Sequence, residues 1–424
     1  MPSIPGAPVT ARAPASGGYT GALAVLASIF FMWGFTTVLN DILVPHLKAV
    51  FSLNYTQSLL IQFVFYFAYF AMSLPWAKLL ERIGYKMSVV GGLVVMAAGA
   101  LCFIPAAMLT SYGVFLLALF VLASGITLLQ VAANPYVAVI GPEKSASGRL
   151  NLVQAFNSMG TMFAPLFGGF LILGRSVTGT ATGGAAATAA QKVADAKLVE
   201  LPYFAIAAVL VIIALIIWKI RLPDVSSENR REAKALRQTR SLWKHRNLVW
   251  GVPAIFIYLI AEIGVGSLLV NYISLPSIGN MSHAEASSHY LFLFWGGAMV
   301  GRFVGAGLMQ KYRPEILLAL VSIAAFALIM ISVLTTGHLA MWTIILVGLC
   351  NSIMFPTIFT LGIKGLGPLT EEASGLLIMA IAGGALSDLQ GVIADHYSLQ
   401  ISFLLPAVCY LYVLFYALWG SKPT

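Results

Sequence analysis

Twelve long apolar runs follow one another along the chain, near 22–46, 57–77, 87–108, 112–140, 149–173, 202–220, 248–275, 287–309, 315–336, 340–363, 374–394 and 400–419. A helix needs about 20 apolar residues to cross the hydrocarbon core of a bilayer. In lipid every backbone N–H and C=O must be satisfied within the chain, so runs of this length and number fold as membrane helices. Composition agrees: 59% of the residues are hydrophobic and 9% charged, against about 25% charged in a globular protein. So few charges cannot cover a water-facing surface, and no polar segment is long enough for an aqueous catalytic domain. The predicted class is an all-α polytopic membrane protein rather than a soluble enzyme or a disordered chain.

The net charge of +9 raises the question of nucleic acid, but the placement of the charges argues against it. Nine of the 24 Lys and Arg residues lie between Lys219 and Arg246, where a plain solvated linker accounts for them. Counted over alternate loops, 19 fall on one side (Arg12, Lys78, Arg82, Lys86, Lys144, Arg149, the linker, Lys311, Arg313, Lys364 and Lys422). Four fall on the other, Lys48, Arg175, Lys192 and Lys197, and Arg302 lies within or at the end of the eighth run. Basic loops face the cytoplasm, so both termini and the linker are expected there. The predicted organisation is a tail (1–21), a six-helix half (22–220), a basic linker (221–247), a second six-helix half (248–419) and a short tail (420–424). Residues 1–20 lack the pattern of a signal peptide. Cys102, Cys350 and Cys409 all fall in apolar runs, the setting of buried free thiols rather than a disulfide framework.

The two halves repeat. Asn134-Pro135 is followed by Gly141 in the fourth run, and Phe355-Pro356 by Gly362 in the tenth. The same tripeptide then opens the next helix, Ala146-Ser147-Gly148 in one half and Ala373-Ser374-Gly375 in the other. Matching order, spacing and run number point to two pseudo-symmetric halves, as in transporters built from parallel repeats.

Three of the 15 acidic residues fall inside apolar runs: Asp41, Glu262 and Asp388. A charge at mid-bilayer costs about 2.5–3.5 kcal/mol even on insertion scales, so each needs a reason. Asp41 follows Trp33-Gly34-Phe35 and Asn40 late in the first run. It reads either as an acid that loads a cation or as a hydrated carboxylate at the helix end. Glu262 reads as a substrate or cation ligand or as a carboxyl held by an amide such as Asn271. Asp388 lies in a small-residue stretch and fits a cavity or a structural pairing equally well. Gln62, Gln130, Asn134, Gln154, Asn157, Asn271, Asn351 and Gln390 also lie within apolar runs. Taken singly, each amide fits a helix–helix hydrogen bond. Shared between both halves, they suit a polar central cavity for a polyhydroxylated ligand, because amides and hydroxyls both donate and accept. Trp33, Tyr66, Phe156, Trp295 and Phe355 can lend apolar faces to a ring. Lys and Arg are nearly absent from the run interiors, which argues against an anionic substrate. There is no phosphate loop and no His/Cys cluster, so no cofactor and no metal are expected.

Two six-helix halves joined by a basic linker resemble the major facilitator superfamily, and Ala77 to Lys86, with Glu81 and Gly84, resembles a degenerate form of its loop between helices two and three. Sharper likenesses are Trp33-Gly34-Phe35 with Asn40-Asp41-Ile42-Leu43, Leu60-Ile61-Gln62 with Phe65-Tyr66-Phe67, Ala132-Ala133-Asn134-Pro135, Arg149-Leu150-Asn151-Leu152 with Gln154-Ala155-Phe156-Asn157-Ser158, and Phe355-Pro356-Thr357. Across nearly the whole chain these resemble the fucose and glucose/galactose cation symporters. The resemblance implies monosaccharide uptake driven by a cation gradient, with coupling at Asn40-Asp41. Fucose symporters carry an acid where this chain has Gln130. Glu262 in helix seven matches the glucose/galactose branch, the closer likeness. The family's helix eleven usually has Pro where this chain reads Ser387-Asp388, so Asp388 takes no role from it.

The sequence therefore leads to a cation-coupled symporter for a neutral sugar: a hexose such as glucose or galactose, fucose, or an N-acetylhexosamine. Asp41 and Glu262 are the candidate cation ligands. Trp33, Asn40, Gln62, Tyr66, Gln130, Asn134, Gln154, Asn157, Glu262, Asn271 and Asn351 are the candidate substrate contacts. A proton and sodium remain alternatives. The expected setting is a bacterial inner membrane and a lipid bilayer, with a single chain as the working unit and no nucleic-acid partner. Two other readings are a proton-coupled exporter of lipophilic compounds, which would favour a broad apolar cavity, and a membrane sugar sensor that does not transport.

Overall fold

The computed structural model describes residues 18–51, 55–109, 111–171, 200–220, 222–223 and 241–423. Within its helices the side chains of 18–19, 39–51, 55–59, 107, 165–171 and 201 are not described. Most of the predicted N-terminal tail, the Gly/Ala/Thr-rich loop and most of the basic linker lie outside the described residues. The described chain is helical throughout, with no strand among the described residues. The first half comprises α1 (Gly18–Phe51), α2 (Tyr55–Met108), α3 (Tyr112–Val139), α4 (Ala146–Leu171) and α5 (Glu200–Lys219). The second comprises α6 (Arg246–Ile273), α7 (Phe292–Leu308), α8 (Pro314–Leu334), α9 (Gly337–Asn351), α10 (Met354–Ile363), α11 (Thr370–Met379), α12 (Asp388–His396) and α13 (Leu404–Phe415).

Ten helical stretches among the described residues are long and apolar enough to cross a membrane. One of them, Leu60–Ala106, is 47 residues long, more than twice what a bilayer requires. It turns at Gly84, where φ is 81° and ψ 171°, a backbone region open essentially to glycine alone. That glycine separates the second apolar run from the third. Helix α4 is a further long helix of 26 residues that does not count among the ten; its facing surface carries Asn151, Gln154 and Asn157.

Packing within each half relies on small residues, as expected where helices gain little by excluding lipid. Helix α2 lies along α3, α1 along α4, α7 along α9, and α6 against both α10 and α13. At the α2–α3 crossing, a Cβ on Gly99 would strike the Leu122 backbone and one on Gly125 the Met96 backbone. Gly34 and Gly160 play the same part between α1 and α4, and Gly348 between α7 and α9. Cys350 and Cys409 are buried and Cys102 half-buried, all three as free thiols.

The basic end of each half is closed by one side chain. The Arg149 guanidinium donates to the carbonyls of Val137 (3.1 Å), Ala138 (2.7 Å) and Pro142 (2.8 Å), and to the Ser145 hydroxyl. It covers the carbonyls left open at the end of α3. Asn247 does the equivalent for α10, donating to the carbonyls of Leu361 (2.9 Å), Gly362 (3.2 Å) and Lys364 (2.9 Å). Lys364 in turn pairs with Glu315 at 3.1 Å.

The glycine crossings give a direct expectation. Gly125→Val overfills the α2–α3 contact and should destabilise the first half by about 1–3 kcal/mol, seen as a lower melting temperature in detergent. Gly113→Ala, at a position where an added Cβ meets nothing within 4 Å, should leave the melt unchanged.

Candidate functional site

The site grows from two prolines inside helices. A helical proline removes one hydrogen bond and its ring pushes against the carbonyl four residues earlier, so that carbonyl needs another donor. For Pro356 it belongs to Ser352, and the Arg302 Nε donates to it at 3.0 Å. The helix breaks there, between α9 and α10, and the Asn351 carbonyl also leaves the ladder to accept from the Tyr258 hydroxyl at 2.9 Å. For Pro135 the freed carbonyl is that of Val131, and the Ser374 hydroxyl donates to it at 2.9 Å. Breaks in the helices thus create polar anchor points in an otherwise apolar interior.

In the first half the structure buries four of the predicted amides and pairs two of them. Gln130 donates to the Tyr69 hydroxyl at 2.6 Å, and Gln154 to the Asn134 Oδ1 at 3.3 Å. Asn157 donates to the Phe30 carbonyl at 3.0 Å, across the α1–α4 crossing that Gly34 keeps close. All four are buried. Trp33 is buried on α1, tilted against Phe30, and Tyr66 is buried on α2 with its ring over Gly384 of the other half. Gln62 is half-buried. The side chains of Asn40 and Asp41 lie outside the described residues.

In the second half Glu262 is buried in α6, one turn after Tyr258 on the same helix. Asn351 accepts from the Tyr410 hydroxyl at 2.6 Å through its Oδ1. Asn271 does not join this group. It is exposed in the last turn of α6, nine residues and about 14 Å along the axis from Glu262, so Tyr258 rather than Asn271 is the acid's neighbour. Asp388 is exposed at the start of α12, whereas Gln390 is fully buried beside Gly264.

Sequence reasoning missed Arg302, which it placed within or at the end of the eighth run without a role. It lies inside α7, and besides Ser352 it reaches the opposite half, donating to the Gln154 carbonyl at 3.1 Å and to the Ser158 hydroxyl. The available signal was a lone cation in an apolar run, which needs a counter-charge as much as a lone acid does.

The twin tripeptides are the other meeting place of the halves. Ser147 shares a hydrogen bond of 2.6 Å with Thr360 on α10, and Ser374 bonds to Val131 on α3. The glycine after each serine lies against a helix of the opposite half. A Cβ on Gly148 would sit 3.3 Å from the Ala306 carbonyl, and one on Gly375 would sit 2.6 Å from the Ala77 Cβ. Asn151 adds contacts to Met309 (3.2 Å) and Thr357 (3.4 Å). Each half therefore offers the same serine and glycine to the other.

This arrangement can be set beside known proteins. The Major Facilitator Superfamily model matches residues 24–387. The chain belongs to the Major Facilitator Superfamily. Within it, the chain is 49% identical over 405 residues to a glucose/galactose transporter of Brucella abortus (strain 9-941), covering 95% of each chain. It is 44% identical over 409 residues to a putative glucose/galactose transporter of Helicobacter pylori (strain J99), covering 95% of this chain and 97% of that one. The L-fucose-proton symporter of Escherichia coli K12 is 35% identical over 416 residues, with coverage of 96% and 94%. Among solved structures, the superfamily transporter FucP in its outward conformation is similar with a TM-score of 0.84 and 34% identity, covering 95% of this chain and 99% of that one. The two-half reading and the likeness to the glucose/galactose branch both stand.

Superfamily members work by parting and rejoining their halves, so the serine contacts should control how often these halves part. Ser374→Ala leaves the Val131 carbonyl buried without its donor, a cost of about 1–3 kcal/mol that falls only on the joined arrangement. A cysteine at the fully buried Thr357 should then be alkylated roughly tenfold faster than in a Ser374 background.

Proposed function

We propose that the chain is a cation-coupled symporter that carries a neutral monosaccharide by alternating access of its two halves, and is not an enzyme. The observation that carries this reading is that three of the six buried amide atoms without partners among the described residues belong to predicted substrate contacts, Gln130 Oε1, Asn134 Nδ2 and Asn351 Nδ2; the others are Asn151 Oδ1, Asn247 Oδ1 and Gln390 Oε1. Acceptor and donor are both represented, in both halves. Leaving such atoms unmet costs about 1–3 kcal/mol each, and a sugar hydroxyl can satisfy either kind. A lipophilic cargo would satisfy neither, so the exporter reading is set aside. The named relatives support the substrate class, with hexoses such as glucose and galactose ahead of fucose and N-acetylhexosamines.

In this reading sugar meets Gln62, Gln130, Asn134, Gln154, Asn157 and Asn351, with Trp33 and Tyr66 as apolar faces. A proton or a sodium ion binds at Asp41, with Glu262 contributing. Neutralising a carboxylate lowers the cost of enclosing it in the membrane, so the halves exchange only when loaded. Counting the stretch divided at Gly84 as two crossings and α4 as one gives twelve. The basic loops put both termini and the linker in the cytoplasm. The setting is a bacterial inner membrane, and each half-pair is complete within one chain, so a monomer suffices.

The test is uptake of a panel of labelled sugars into proteoliposomes, with an imposed pH gradient or sodium gradient. Gradient-driven uptake of one neutral sugar is expected. Asp41→Asn should abolish accumulation while sugar counterflow persists; accumulation at the wild-type level would remove Asp41 from the coupling step.

A further inference from the structure

We infer that Tyr410 is a positioning residue that turns the Asn351 amide so that its Nδ2, a donor, is the atom offered to the sugar. This rests on the symport reading above and deepens it, by fixing the polarity with which one sugar oxygen is read.

Asn351 is the last residue of α9, at the break before α10. Two phenols from neighbouring helices hold it, and all three residues are buried. Tyr258 of α6 donates to its backbone carbonyl at 2.9 Å, and Tyr410 of α13 donates to its Oδ1 at 2.6 Å. A buried phenol needs a partner for its hydroxyl, and both use this one residue. The backbone bond sets where the side chain starts, and the side-chain bond sets which way it faces. A carboxamide has one acceptor oxygen and an NH2 group with two donors. With Oδ1 taken, Nδ2 remains, and it meets no acceptor among the described residues. Turning the amide over would take from the Tyr410 proton the acceptor it uses, so the phenol keeps the donor side facing away from itself. A ligand atom that meets the Asn351 side chain must therefore accept. The equivalent amide of the first half, Gln130, stands five residues before Pro135 as Asn351 stands five before Pro356. It too is tied to a tyrosine hydroxyl, that of Tyr69, at 2.6 Å, so an amide steadied by a phenol recurs in the repeat.

A hydroxyl donates and accepts, fluorine only accepts and hydrogen does neither, so sugar analogues read this polarity. The probes are glucose and galactose with one hydroxyl at a time replaced by fluorine or by hydrogen, competing with labelled-hexose counterflow into proteoliposomes of the full-length protein. Asn351→Ala finds the hydroxyl concerned, as the position where its removal no longer weakens competition. At that position in the wild type, fluorine should compete within about threefold of the hydroxyl and hydrogen about tenfold more weakly. In Tyr410→Phe the amide turns its N–H groups toward the ring and presents Oδ1 instead; a hydroxyl adapts by donating, and fluorine does not. The parent sugar should then shift by about threefold or less, while the fluoro analogue falls to the level of the deoxy one. Tyr258→Phe removes a buried phenol bond to the same residue and leaves the amide turned as before. It should weaken all three sugars by one common factor, as a merely structural tyrosine would. No position at which fluorine outdoes hydrogen in the wild type, a result that needs no variant to fold, would overturn the inference. So would a fluorine preference kept in Tyr410→Phe, one lost equally in Tyr258→Phe, or an Asn351→Ala variant that still discriminates at every position. If the wild type exchanges neither hexose, the hexose symport reading fails and the inference falls with it. Exchange without the fluorine pattern sinks the inference alone and leaves that reading standing.

Discussion

Inside a bilayer no water is available to meet a polar backbone group, and this one constraint shapes the molecule. It demands continuous helices, yet the chain places Pro135 and Pro356 well inside two of them. Each proline frees the carbonyl four residues earlier, and each freed carbonyl has been taken by a side chain from another helix: Val131 by Ser374, Ser352 by Arg302. What is a defect in one helix becomes an anchor for its neighbour. The polar interior is therefore a consequence of how the helices are broken, and the amides gather where the breaks are.

The anchors also decide where the halves meet. Bonds that close a helix end, such as those of Arg149 and Asn247, stay within their own half and are met in any arrangement of the two. Bonds from Ser147, Ser374 and Arg302 cross between halves. A neutral hydrogen bond contributes only about 0.5–1.5 kcal/mol net, so a few of them hold the halves together without locking them. The glycines beside the serines permit the close approach at no cost in side-chain volume. A contact of this kind suits two bodies that must separate and rejoin.

The division into two halves was legible because it is written twice. The proline, the glycine six residues on and the Ala-Ser-Gly opening recur in order, and recurrence survives in a chain where any single apolar residue says little. The buried amides were legible for a related reason: a Gln or Asn among Leu, Val and Ala stands out, and Gln130, Asn134, Gln154, Asn157 and Asn351 all prove to be buried. Asn271 shows the limit of that signal. An amide within an apolar run can face either way on its helix, and with its neighbours apolar all round, periodicity does not say which. The pairings were not legible at all. That Arg302 reaches Ser352 and Gln154 depends on how α4, α7 and the break before α10 meet, and such a meeting is set by glycines and side-chain volumes scattered over hundreds of residues.

Arg302 passed unremarked in the sequence because its charge was weighed as a statement about cargo, where the shortage of interior cations argued against an anion. The structure gives that shortage a different meaning. Arg302 is held through Nε and one terminal nitrogen by the Ser352 and Gln154 carbonyls and the Ser158 hydroxyl, which makes it part of the contact between the halves rather than evidence about cargo. Glu262 and Arg302 are each costly inside a bilayer; the arginine offsets its cost through oxygens of both halves, which ties its burial to their contact.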